Sequence, residues 1–125
     1  MAQEAILIVE DDEDLRRLFR TTLTLAGYAV FEADNGFDAL LRIDHSPPDL
    51  LVLDLMLPNI SGLVVQQELA AQNHTSRIPI IVVTGSATEL TDLKVACVLR
   101  KPIAPDELVS SVRNCLAKGS ADASV

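Results

Sequence analysis

The sequence has no tryptophan and only 3% aromatic residues, so its core cannot be built from stacked rings. Leu, Val, Ile and Ala must fill it instead, and these residues suit a parallel sheet covered by helices. Positive charge is also scarce: 10 Lys and Arg stand against 18 Asp and Glu, for a formal charge of −8. Surfaces that track a phosphate backbone need clustered Lys and Arg to displace counterions, so direct nucleic-acid binding is not expected. The two cysteines, Cys97 and Cys115, lack the CxxC or Cys/His spacing of a structural metal site and read as apolar residues in a reducing compartment. Long apolar runs are missing too. The stretch 78–83 is far too short to cross a bilayer, and the first residues lack the basic and apolar regions of a signal peptide. The expected location is the cytoplasm, with no membrane contact.

What is present is enough apolar material, 49% of 125 residues, for a single core. Short apolar runs at 5–9, 28–33, 50–53, 78–83 and 97–99 read as strands. Between the first two, Leu15, Leu18, Phe19, Thr22, Leu23 and Ala26 recur at helical spacing, and Gly27 stops the helix. Residues 35–44 and 63–72 read as further helices, the former ending before Pro47 and Pro48. The last helix opens on Pro105, presents Leu108, Val112, Cys115 and Leu116 on one face, and ends at Gly119. Residues 1–119 are therefore expected to form one domain and 120–125 a short flexible tail. Strands alternating with helices predict an α/β fold, a parallel sheet with helices on both faces.

In such a sheet the functional site lies beyond the carboxyl ends of the strands. The first strand runs into Glu10, Asp11 and Asp12, the third into Asp54, the fourth into Thr84, and the fifth is followed by Lys101 and Pro102. Gathered carboxylates repel one another unless a cation neutralises them, and oxygen ligands alone select a hard ion such as magnesium. Lys101 supplies a fixed positive charge, and Thr84 a hydroxyl donor. Nucleophilic carboxylate, metal, cation and donor are the parts needed for attack on phosphorus. Each residue also has a plainer reading. Asp12 and Asp14 precede a helix and are expected to cap it; Asp54 alone could be a turn residue, and Thr84 a satisfied strand-end hydroxyl.

Four stretches carry a resemblance that spans nearly the whole chain: ILIVEDDEDLR at 6–16, PDLLVLDLMLPNISG at 48–62, IPIIVVTGSA at 78–87 and LRKPI at 99–103. In this order they resemble the receiver domain of two-component response regulators. The resemblance implies a doubly wound, flavodoxin-like sheet of five parallel strands in the order 2-1-3-4-5. It implies Asp54 as phosphoacceptor, with a magnesium or manganese ion held by Asp11, by Glu10 mainly through water, by Asp54 and by the backbone carbonyl of Met56. Thr84 matches the hydroxyl residue that moves towards the phosphoryl group. Lys101 matches the lysine that grips it, and a cis bond is expected between Lys101 and Pro102.

The implied function is phosphorelay signalling by a phosphoacceptor domain that promotes its own phosphotransfer and dephosphorylation rather than an enzyme acting on other substrates. The implied partners are a sensor histidine kinase or histidine phosphotransfer protein and an unidentified downstream protein or output domain, with a homodimer as a further expectation. Two departures bear on signalling. Thr84 and Lys101 are 17 positions apart (101 minus 84), about a helical turn or more below the usual family spacing, which predicts a short or missing fourth helix. Val98 stands where the family commonly has Tyr or Phe, so the aromatic half of the usual switch is absent.

Competing readings are weaker. A phosphohydrolase using an aspartyl phosphate wants a second Asp two residues after the nucleophile, and Met56 is there. A nucleotide-binding domain wants a GxxxxGK loop, which is missing. A receiver-like module that works without phosphorylation would leave Glu10, Asp11, Asp54 and Lys101 free to change, yet all are present.

Overall fold

Successive side chains on a strand point to opposite faces of a sheet, so a strand buried on both faces must be apolar throughout. The run Ala5–Val9 satisfies this and forms β1, and Leu50–Asp54 forms β3, buried along its whole length. In a computed structural model that describes residues 3–85 and 95–123, side chains of 119–123 excepted, the elements follow in the order β1 (Ala5–Val9), α1 (Glu13–Leu25), β2 (Ala29–Ala33), α2 (Gly36–His45), β3 (Leu50–Asp54), α3 (Gly62–Ala71), β4 (Ile80–Thr84), β5 (Cys97–Arg100) and α4 (Pro105–Ala123). The five strands form one parallel sheet in the order β2-β1-β3-β4-β5. Strand order reverses between β1 and β3, the point in such sheets beyond whose carboxyl ends a site is expected.

The alternation of the strands sorts the core into two layers. Ile6, Ile8, Leu50, Val52, Ile81 and Val83 face one side, where Phe19 and Leu23 of α1 and Leu108, Val112 and Leu116 of α4 cover them. Leu7, Val9, Leu51, Leu53 and Val82 face the other, against Ala39 and Ile43 of α2 and Val65 and Leu69 of α3. Cys115 is buried in the first layer and Cys97 packs against it, both as free thiols.

Helix starts follow local chemistry. Asp12 caps α1 by accepting from Leu15 N at 3.0 Å, Asn35 caps α2 through Asp38 N at 2.9 Å, and Ser61 caps α3 through Val64 N at 3.3 Å. Gly27, at φ +102°, lets the chain leave α1 in a left-handed conformation.

Several boundaries differ from the sequence reading. Tyr28 belongs to the α1 exit, its N–H bonded to Leu23 O, so β2 starts at Ala29. Pro79 has no N–H for a ladder and β4 starts at Ile80. Gly119 does not end the last helix, which continues to Ala123: one glycine costs a helix only about 1 kcal/mol, which helix-forming neighbours can absorb. Ser120 and Ala121 are thus helical rather than tail. The expected short or missing fourth helix falls on residues 86–94, outside the described residues. Four helices are present among the described residues, and none is long and apolar enough to cross a membrane.

Candidate functional site

The carboxyl ends of β1, β3, β4 and β5 bring together the polar residues that the sequence left scattered. Asp54 closes β3 opposite Val83 of β4, so Thr84 lies one residue beyond that pairing. Thr84 pairs with Arg100, and its carbonyl accepts from Lys101 N at 2.9 Å, fixing the root of the lysine beside the strand end. The Lys101–Pro102 bond is cis, as the resemblance implied.

Lys101 Nζ stands 2.7 Å from Glu10 Oε1 and 3.0 Å from Asp54 Oδ2. Both acids are nearly inaccessible, at 2% and 3% exposure, whereas the lysine keeps a quarter of its side chain in solvent. The other oxygen of Asp54, Oδ1, accepts from Met56 N at 2.9 Å, which fixes the rotation of the carboxylate. Glu10 Oε2 accepts from Asp12 N at 3.3 Å. The Met56 side chain itself is exposed, and Thr84 is fully buried.

Burial pushes the Glu10 carboxyl up to about 7, helped by the neighbouring Asp54 and opposed by Lys101 and the Asp12 amide. Burial alone would lower the Lys101 ammonium, but its bonds to Glu10 and Asp54 outweigh that cost and raise its pKa. Among the described residues the site is thus short of positive charge: the Lys101 ammonium is shared between two buried acids, with exposed Asp11 beside them.

One carboxylate oxygen each from Glu10, Asp11 and Asp54 can be chosen so that all lie within 4.8 Å of one another. Glu10 Oε1 is buried, stands 2.7 Å from Lys101 Nζ, and among the described residues has no further partner. An all-oxygen donor set in which two buried acids and exposed Asp11 converge on the Lys101 ammonium fits a hard divalent cation. Asp12, by contrast, spends its side chain on capping α1, as the sequence reading expected.

The close passage of α3 past the site depends on Gly62. Its N–H donates to Leu55 O at 3.0 Å, and a Cβ there would stand 2.6 Å from Leu55 Cα and closer still to Asp54 O. In the sequence this glycine stands out only as the last residue of the stretch 48–62. The sequence reading also passed over Arg16 and Glu32, which meet at 3.3 Å behind the acidic end of β1. The only available signal was an acidic residue inside an otherwise apolar second strand.

Val98 lies opposite Val82 in the sheet and packs against the layer covered by α2 and α3. No ring occupies that position.

Residues 6–113 match the response regulator receiver domain as a family. Over 123 residues the chain is 35% identical to the phosphate regulon transcriptional regulatory protein PhoB of Pseudomonas aeruginosa, covering 94% of this chain and 54% of that protein. It is 37% identical over 121 residues to ycf27 of Pyropia yezoensis, named as a transcriptional regulator, covering 93% of this chain and 49% of that one. The chain therefore spans about half the length of the curated relatives it matches. Among solved structures, a response regulator from Chloroflexus aurantiacus superposes with a TM-score of 0.86 at 31% identity, covering 93% of this chain and 99% of that chain. A CheY-like receiver domain from Methanospirillum hungatei, at 22% identity, shares the fold with a TM-score of 0.91, covering 97% and 99%. With its strand order, its cluster of carboxylates and a family match over most of its length, the chain belongs to the response regulator receiver domain family, the signalling module of two-component systems.

Proposed function

We propose that this domain relays a signal by accepting a phosphoryl group on Asp54 in a reaction that depends on magnesium or manganese. The observation that carries this reading is the contact of Lys101 Nζ with Asp54 Oδ2 at 3.0 Å, inside a cluster that also holds Glu10 and Asp11. A nucleophilic oxygen of Asp54 attacks phosphorus, an O–P bond forms, and the bond from phosphorus to the donor nitrogen or oxygen breaks, its electron pair leaving with the donor. Lys101 keeps its ammonium against the oxygens that gain charge. The Met56 amide holds the second carboxylate oxygen in place, so attack does not require the side chain to be re-aimed. Thr84, at the next strand end, supplies a hydroxyl to the transferred group.

Asp11, Glu10, Asp54 and the Met56 carbonyl would hold the divalent ion. When bound, it neutralises the carboxylates and polarises the phosphoryl oxygens. The phosphoryl donor is a sensor histidine kinase or a histidine phosphotransfer protein, and the response is altered binding to a downstream protein or output domain. Curated relatives named as transcriptional regulators, about twice as long as this chain, support an output in transcription.

Incubation with acetyl phosphate and magnesium chloride, followed by intact-mass spectrometry, tests the reading. A single added phosphoryl group is expected in the wild type, none in Asp54→Asn, and none when the metal is chelated. Equal labelling of Asp54→Asn would move the acceptor elsewhere. No labelling of the wild type would favour a module that works by binding alone.

A further inference from the structure

Arg16 sits in the second layer of contacts around the acidic cluster, near the start of α1. Its Nη1 donates to the carbonyl oxygen of Glu10 at 2.9 Å, and that carbonyl belongs to the peptide joining Glu10 to Asp11. Its Nε faces Glu32 Oε1 at 3.3 Å, and the other oxygen of Glu32 accepts from Arg20 Nη1 at 3.0 Å. The Arg16 side chain is only 18% exposed, so this is a packed arrangement rather than a solvated surface pair. Among the described residues, no ion pair joins Arg16 to the carboxylates of Glu10 or Asp11. Its hold is on the backbone between them.

We propose that Arg16 is a positioning residue for the acidic pair, pinning their shared peptide, and that Glu32 in turn orients Arg16. The inference rests on the reading of Glu10 and Asp11 as holders of a divalent ion. Glu10 N is anchored to Ala33 O at 3.1 Å as the last backbone link to β2. Beyond that link the ladder ends, and the next carbonyl must find a partner elsewhere. Arg16 supplies it. A guanidinium has N–H groups on separate edges of a rigid plane, so it can reach the carbonyl and Glu32 together; an ammonium on a flexible stem cannot fix both directions. Because Glu10 and Asp11 point to either side of one peptide, rotating that peptide would turn both carboxylates.

A cleft of about 610 Å3 between α1 and α2 is lined by Arg16, Arg20, Glu32 and Arg42, among others. The clamp therefore borders this cleft at the edge strand β2, away from the two packed core layers.

Magnesium chloride titrations followed by amide NMR test the proposal on wild type, Arg16→Ala, Arg16→Lys, Glu32→Gln and Asp11→Ala. Arg16→Ala is expected to weaken magnesium binding by roughly tenfold or more, the usual range for residues that orient a ligand from behind. Arg16→Lys should recover part of the loss, and Glu32→Gln should weaken binding in the same direction. Glu32→Gln should add little in the Arg16→Ala background, because it acts through Arg16. Wild-type affinity in folded Arg16→Ala, whatever its melting temperature, would overturn the positioning role. If Arg16→Ala does not fold, wild-type affinity in Glu32→Gln overturns it instead. A wild type that binds no magnesium, or an Asp11→Ala variant that binds it normally, would overturn the metal reading and the inference with it.

Discussion

Lys101 approaches Glu10 more closely than Asp54, at 2.7 Å against 3.0 Å, so the lysine of this site is shared with a carboxylate that is not the proposed phosphoacceptor. Removing it leaves two buried acids without the counter-charge they share among the described residues. Lys101→Met should destabilise the metal-free protein by about 2 kcal/mol, below the full cost of breaking a buried pair because the ammonium is partly solvated and Glu10 can take up a proton. Magnesium should stabilise the variant more than the wild type, since it restores the missing charge. Urea unfolding with chelator and with magnesium would measure both, and equal stability of variant and wild type in chelator would contradict the shared ion pair.

The Glu10 carboxyl, pushed up to about 7 from an ordinary 4.5, sets a pH dependence. Between those values the folded protein keeps a proton that the unfolded chain has released. Stability from this group is therefore complete below about pH 4.5 and lost as pH rises through about 7, by about 3 kcal/mol at most. Lys101 adds no slope there, because its raised pKa lies far above the window. Melting temperatures in chelator from pH 4.5 to 8 should fall for the wild type relative to Glu10→Gln. Parallel curves for the two proteins would rule out this titration.

Gly62→Ala places a methyl group against the backbone of Leu55 and Asp54, atoms that cannot move aside alone. A loss of about 2 kcal/mol is expected, together with slower labelling of Asp54 as the strand end shifts. Gly85→Ala is the control, for among the described residues its new Cβ would meet nothing nearer than Lys101 Cδ at 4.0 Å. Comparable effects of the two substitutions would show that the close approach at Gly62 is not what matters.

Asp12 stands next to the acidic pair yet serves the helix. Asp12→Ala should cost about 1 kcal/mol of stability through the lost cap on Leu15 N, with magnesium affinity changed less than about twofold. A tenfold loss of magnesium affinity would place Asp12 among the metal-holding residues.

The fold was legible because the strands are short, apolar and separated by helical spacing. Ala5–Val9 could be bounded from sequence alone, as an apolar run flanked by charged residues. Glu10, Asp54 and Thr84 stand out because each directly follows such a run, and Lys101 because it comes just after one and before a proline. Arg16 and Glu32 did not, because an Arg on a helix and a Glu in an edge strand each have a solvated reading, and their meeting depends on how α1 packs over β2. Gly62 shows in the sequence only as the end of the stretch 48–62, whereas its need comes from a distance to Leu55 that no local pattern encodes. Gly119 misled the other way, since helix stops are statistical and this helix runs through it.

Asp54 ends the middle strand of the sheet, between β1 and β4, with every residue of β3 buried. Amide protons in such a strand are released to solvent only when the whole domain opens, while the surrounding connections open far more often. The seat of the proposed phosphoacceptor is therefore as long-lived as the native state. Chemistry at that carboxylate can redistribute its neighbours without loosening its own footing, so a relayed signal must travel outward through the strand ends and their loops.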